Sequence, residues 1–191
     1  MKRMQKGISL LLTLAMVLGM CAVGLTASAV VLEGDGTSAY PYQIDSYEEL
    51  KAFSDAVNNG EHSACAVLTA DIVVENNPDD SDWTPIGNDE NPYSCVFDGQ
   101  GYRIIGLCSP DDFQQEYVGL FGYIDSMGSV MNVNLEGGSI IGARYVGGIA
   151  GYNAGEINAC SSSAEVNAAR MYAAGIVGYN SGTIQNFIFC K

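Results

Sequence analysis

The chain has 191 residues, 48% of them hydrophobic, with 22 Asp and Glu against eight Lys and Arg, for a formal net charge of −14. That length suits one sizeable domain. The acidic balance argues against nucleic acid and anionic lipid as partners.

The chain begins with Lys2, Arg3 and Lys6, then an uncharged apolar run over 8–25, then Ala27-Ser28-Ala29. A basic start, an apolar middle and a small-residue A-x-A site predict a secretory signal peptide over 1–29, cut after Ala29. The competing reading is a retained membrane helix, which the A-x-A site argues against. A lipoprotein cut before Cys21 is disfavoured by the bulk of Met20. Beyond residue 29 five basic residues face all 22 acids, a net charge of −17. A secreted or cell-surface protein with no membrane span after cleavage is expected.

Residues 30–44 read as a loop entering a short strand at 42–44. Ser46 and Glu49 have capping-box spacing, and Tyr47, Leu50, Phe53, Ala56 and Val57 share one face before Asn58-Asn59-Gly60, so a helix is predicted over 46–58. Residues 64–75 read as a strand and 76–91 as a polar loop. Asp79, Asp80 and Asp82 crowd that loop around Trp83, with Asp89 and Glu90 near its end. Such oxygen ligands suit Ca²⁺, but no EF-hand spacing is present, so a solvated loop is the default. Trp83 is expected to plug the core. His62, the only histidine, has no partners that would make a triad or zinc site. Strands are predicted at 93–97 and 102–107, around a turn opened by Asp98.

The last third repeats one phrase. Gly119-Leu120-Phe121-Gly122-Tyr123 returns as Gly148-Ile149-Ala150-Gly151-Tyr152 and as Gly175-Ile176-Val177-Gly178-Tyr179, at spacings of 29 and 27. A unit too small to bury its own apolar face must stack on its neighbours. Period-two runs such as 155–160 and 182–187 make those units strands rather than helices. The prediction is an all-β fold: a right-handed parallel β-helix (β-solenoid), two or three strands per coil, with an N-terminal capping α-helix over the open front edge. Like residues then fall in columns, Tyr123 over Tyr152 over Tyr179 and Asn153 over Asn180, with the glycines at corners or close backbone approaches.

These phrases resemble the GLUG repeat of bacterial secreted and surface proteins, over roughly residues 117–191. The segment 30–116 is similar to the region that often precedes such repeats, through Leu68-Thr69-Ala70-Asp71-Ile72, Trp83-Thr84-Pro85-Ile86-Gly87 and Phe97-Asp98-Gly99-Gln100-Gly101-Tyr102. The resemblance implies a cap with first coils over 30–116 and repeats over 117–191, the last one incomplete. It also implies an adhesin-like, non-catalytic role with no cofactor, Ca²⁺ aside. An extracellular protein or glycan surface is the expected partner, and further repeats or another chain would cover the C-terminal edge. The alternative is the repeat region of a larger extracellular hydrolase, or a carbohydrate-active β-helix enzyme. Those enzymes need clustered acids on a sheet face, whereas here the acids sit mainly in loops, and Arg144 and Arg170 fall one position apart. Five cysteines follow residue 29 (Cys65, Cys95, Cys108, Cys160 and Cys190). They show no zinc spacing, and no pairing is preferred.

Overall fold

Apolar runs of three or four residues, each cut short by a glycine or asparagine, make rungs rather than long strands. The computed structural model describes residues 30–74 and 82–189, with only the backbone of 188–189. The segment 1–29, expected to be a signal peptide, lies outside the described residues, as do Asp79, Asp80 and Cys190. Within them the chain winds as a parallel β-solenoid.

Four columns of strands run along it. The first stacks β1 (Tyr42–Ile44), β2 (Ala66–Leu68), β4 (Val96–Asp98), β8 (Ser129–Met131), β12 (Glu156–Asn158) and β16 (Thr183–Gln185). The second stacks β3 (Ile72–Val73), β5 (Arg103–Ile105), β9 (Asn134–Glu136), β13 (Ser161–Ser162) and β17 (Ile188–Phe189). The third holds β6 (Glu116–Val118), β10 (Ser139–Gly147) and β14 (Glu165–Ala174), and the fourth β7 (Phe121–Ile124), β11 (Ala150–Asn153) and β15 (Val177–Asn180). Every ladder between these strands is parallel. A full coil therefore has four strands, not the two or three expected. The extra corner lies at Gly148-Ile149, where the repeated phrase turns the chain from β10 into β11.

Register puts like on like. Phe97, Val130, Ile157 and Ile184 pair in succession down the first column, and Ile72, Ile104 and Leu135 down the second. The apolar residue between the phrase's glycines points inward: Leu120 and Ile149 are wholly buried and Ile176 nearly so. Backbone bonds link these turns, Phe121 N donating to Ile149 O at 2.8 Å and Ile149 N to Ile176 O at 2.9 Å. Burying each such side chain contributes about 1.5–3 kcal/mol.

The predicted helix is α1 (Tyr47–Asn58). Its Leu50, Phe53 and Val57 are buried, and the Phe53 ring meets Tyr42, Tyr93 and Phe97 at centroid distances of 6.0–6.3 Å. Hydrogen bonds also tie α1 to the segment 82–93. Ser54 Oγ donates to Thr84 O at 2.7 Å, and Asn58 Nδ2 to Pro85 O at 3.0 Å. That segment in turn bridges to β7 through Ile86–Phe121 and Tyr93–Ile124. The helix thus sits on the front of the solenoid as a lid. Its N-terminus differs from the expected capping box: Ser46 makes no side-chain cap bond, and Glu49 Oε2 instead accepts from Asp45 N at 2.9 Å. Ser46 is still fully extended, so the carboxylate reaches one residue further back.

Two other expectations change in detail. The strand predicted over 64–75 is two strands, because the chain turns a corner between Leu68 and Ile72. Cys65 and Cys95 form a disulfide across adjacent coils, with Cα atoms 5.1 Å apart. Cys160 is a buried thiol and Cys108 a partly buried one.

Candidate functional site

The repeated phrase builds the solenoid's most distinctive surface. Tyr123, Tyr152 and Tyr179 follow the second glycine of each copy, on β7, β11 and β15. Parallel pairing sets them in register, and their rings stack, with centroids 4.3 Å apart between Tyr123 and Tyr152 and 5.2 Å between Tyr152 and Tyr179. Beside them runs a second column that sequence reasoning missed: Tyr117, Tyr145 and Tyr172, with centroids 5.0 and 5.2 Å apart and planes within 5° of parallel. The signal is present in the sequence as Tyr-Val-Gly at both 117 and 145. The columns meet edge to face, Tyr117 on Tyr123 at 5.7 Å and Tyr145 on Tyr179 at 5.8 Å. Four of the six rings are partly exposed, and Tyr172 and Tyr179 are exposed.

The second column has a backbone reason. Tyr117, Tyr145 and Tyr172 all have positive φ, at 57°, 56° and 63°. A bulky residue in that region is strained by roughly 1–3 kcal/mol. The left-handed residue breaks the in-out alternation of β10 and β14. The register between those strands shifts once, so that Arg144 stands opposite Met171 rather than Arg170. The second glycine of each phrase packs against this kink. A Cβ on Gly151 would stand 2.6 Å from Tyr117 C and from Tyr145 O, and one on Gly178 would stand 2.5 Å from Tyr145 C. Gly122 faces Tyr117 O at 3.0 Å in the same way. The first glycine is equally confined: a Cβ on Gly119 would lie 2.7 Å from Gly147 O, and one on Gly148 would run into Gly175 O and Ser162 Oγ. These glycines leave room for backbone.

Polar groups border the array. Burial, then a hydrogen bond with Tyr152, raises the Tyr123 phenol above its ordinary pKa, and burial does the same for Tyr117 with help from Tyr145 and Glu116. Both stay protonated near neutral pH. Glu116 Oε1 lies 2.9 Å from Arg144 Nε, but the N–H is not aimed along that line, so this is an ion pair rather than an aligned hydrogen bond. Arg170 donates to Gln114 Oε1 at 3.3 Å. Deeper in, Asn153 is fully buried and donates to Asn180 Oδ1 at 2.7 Å, the first step of an amide ladder. One coil earlier its place is taken by Ile124.

The remaining candidates lie elsewhere. Of the three aspartates considered for Ca²⁺, only Asp82 is among the described residues. It accepts from Tyr47 Oη at 2.8 Å and Lys51 Nζ at 3.2 Å. Among the described residues no group of three or more His, Cys, Asp or Glu is gathered as metal ligands would be. Trp83 is wholly buried and donates Nε1–H to Gly119 O at 2.9 Å, so it ties the front coil to the first phrase. Asp98 accepts from Gln100 N at 2.8 Å, forming the expected turn, and from Asn132 Nδ2 at 2.9 Å. His62 is exposed, and its carbonyl accepts from Ser94.

Residues 142–167, which carry the middle copy of the phrase, match the family model described as the GLUG motif. That coil is a GLUG repeat. Over 147 residues the chain is 33% identical to halomucin of Haloquadratum walsbyi, and over 140 residues 34% identical to a protein of Evansella cellulosilytica provisionally named a Gly-rich membrane protein. These alignments take in 74% and 72% of this chain but only 2% and 16% of the relatives, which are far longer. Among solved structures, a protein of Bacteroides ovatus provisionally titled an immunoglobulin A1 protease superposes with a TM-score of 0.55, covering 82% of this chain and 58% of that one. At 22% identity this likeness establishes a shared β-solenoid fold and nothing about activity.

Proposed function

We propose that this GLUG solenoid works by contact, as a non-catalytic, adhesin-like module of a secreted or cell-surface protein, and that the tyrosine array is its contact face. The observation that carries the reading is the double column itself: six aromatic side chains in two registers along the coil axis, all with solvent access, three of them on strained backbone. Tyrosine is favoured at recognition surfaces because a rigid apolar ring carries a polar tip at little loss of rotamer freedom. The names of the two relatives, one a mucin-like name and one a membrane protein, support a surface setting, as does the disulfide between Cys65 and Cys95. Among the described residues no helix is long and apolar enough to cross a membrane. The expected partner is a protein or glycan surface. The test is a binding screen of the purified chain against extracellular proteins and glycans, run beside an assay for polysaccharide and protein cleavage. Saturable binding without turnover is expected; turnover would replace this reading with the hydrolase one.

A further inference from the structure

Going beyond that contact reading, we propose that the tyrosine array is a site of oxidative cross-linking. A one-electron oxidant of the haem-peroxidase class, fed by hydrogen peroxide, couples stacked tyrosines of successive coils into o,o′-dityrosine.

Proximity argues first. Within each column the rings of successive coils lie at centroid distances of 4.3–5.2 Å, and parallel register fixes which ring meets which. Two phenoxyl radicals in solution must first find each other, and groups already held together skip that cost. Tyr123 and Tyr152 are the closest pair, at 4.3 Å with planes 19° apart. That is less than the rung spacing of about 4.8 Å, so these rings already lean together. Tyr40 and Tyr102 are exposed, at 53% and 36%, yet have no ring neighbour among the described residues. They carry the same phenol without the partner.

Access argues second. Tyr172 and Tyr179 are 48% and 42% exposed, so an oxidant too bulky to enter the array can take its electron there. The rings behind them are in contact, and the electron hole passes along each column between chemically identical groups.

The proton also has a way out. Tyr123 and Tyr152 share a hydrogen bond, and the Tyr152 oxygen accepts from the exposed Ser181 Oγ at 3.1 Å. Each phenol gives one electron to the oxidant and its proton to water, for Tyr123 and Tyr152 along this line. The two phenoxyl radicals join by one carbon–carbon bond between ring positions ortho to oxygen. The hydrogens on those carbons then return to the oxygens, restoring two phenols. In sum, two tyrosines and one hydrogen peroxide yield one dityrosine and two waters. At Tyr123–Tyr152 the bond ties residues 29 apart in sequence, and unlike Cys65–Cys95 it does not open to reducing agents.

The full chain, at micromolar concentration, is treated with a peroxidase and hydrogen peroxide. Products are read by dityrosine fluorescence, intact mass and peptide mapping. A monomer lighter by two hydrogens is expected, with Tyr123–Tyr152 the leading cross-link and intrachain product exceeding interchain by about tenfold or more. Tyr152→Phe keeps a ring but forms no phenoxyl radical; it should abolish that cross-link and cut total intrachain dityrosine at least about twofold. Tyr40→Phe with Tyr102→Phe should change the total by less than about twofold. Thermal melts identify any variant that has lost its fold, and the cross-link map of the unaltered chain then decides. The inference is overturned if no intrachain dityrosine forms, if Tyr40 or Tyr102 cross-links as often as the array does, or if the bonds join only rings of one coil. Each of those results leaves the contact reading standing, because the binding screen tests it separately.

Discussion

Gly151 sits directly against the backbone of Tyr117, one coil away: a Cβ at 151 would come within 2.6 Å of the Tyr117 carbonyl carbon and of its Cα. The glycine of one repeat and the left-handed tyrosine of the repeat before it are thus a single steric unit. The same unit recurs between Gly178 and Tyr145. It explains why the phrase carries a glycine immediately before each tyrosine of the outer column. No ligand need be invoked for the glycine, because the neighbouring coil already occupies the space.

Replacing Gly151 with alanine is therefore expected to destabilise the protein by about 1–3 kcal/mol, toward the upper end because the obstacle is backbone and cannot rotate away. Gly101→Ala, where a Cβ meets nothing within 4 Å, serves as the comparison; its φ of +81° means that any loss there is conformational rather than steric. Chemical denaturation of the two variants distinguishes them. Equal tolerance of both would remove the steric account.

Asn153 is buried, donates to Asn180 and accepts from Gly155 N at 3.1 Å. Asn153→Ala should lower stability by about 1–3 kcal/mol, since it strands the partly buried Gly155 N–H and the facing amide. Asn180→Ala, at an exposed position, should cost clearly less. A denaturant series on both variants checks the order.

The Cys65–Cys95 bridge closes a span of 30 residues that includes the segment on which α1 rests. Loop-closure entropy gives it a contribution of roughly 3–4 kcal/mol. Cys65→Ser or mild reduction should lower the melting temperature and loosen α1 first, seen as early loss of helical signal or faster amide exchange over 47–58. Uniform unfolding with an unchanged midpoint would contradict this.

Acid should act partly through Asp82. Burial pushes its carboxyl up, but the hydrogen bonds from Tyr47 and Lys51 outweigh burial and hold it below the ordinary carboxylate value. A folded-state pKa below the unfolded one means that the bond stabilises the protein above the unfolded value of about 3.9. That contribution is lost as pH falls through the folded value. Asp71, held down by its hydrogen bonds from Arg103, behaves alike. Stability measured across pH should therefore stay level down to about 5 and decline below about 4. Asp82→Asn should flatten part of the decline; an unchanged acid slope would show that Asp82 plays no part.

Burial pushes the Cys160 thiol up to about 11, whereas Cys108 is only partly buried. At pH 7.5 a thiol reagent should label Cys108 and leave Cys160 untouched until the chain is denatured, as read by peptide mapping. Labelling of Cys160 in the native chain would mean that the coil opens there.

The sequence by itself determined the period, the parallel winding and the inward columns, because each is a property of one repeat copied. Leu120, Ile149 and Ile176 had to stack once the phrase recurred, and the face of Tyr47, Leu50 and Phe53 marked a helix with somewhere to bury it. Only the tertiary structure decided what lies between coils: that Cys65 reaches Cys95, that Tyr117, Tyr145 and Tyr172 form a second column against the first, and that a coil has four strands. These relationships join residues about 30 apart across a gap set by register. A one-residue bulge, such as the shift between Gly142 and Arg144, changes which side chains meet there. Local pattern fixes what each rung is made of, and stacking geometry alone fixes which atoms of neighbouring rungs touch.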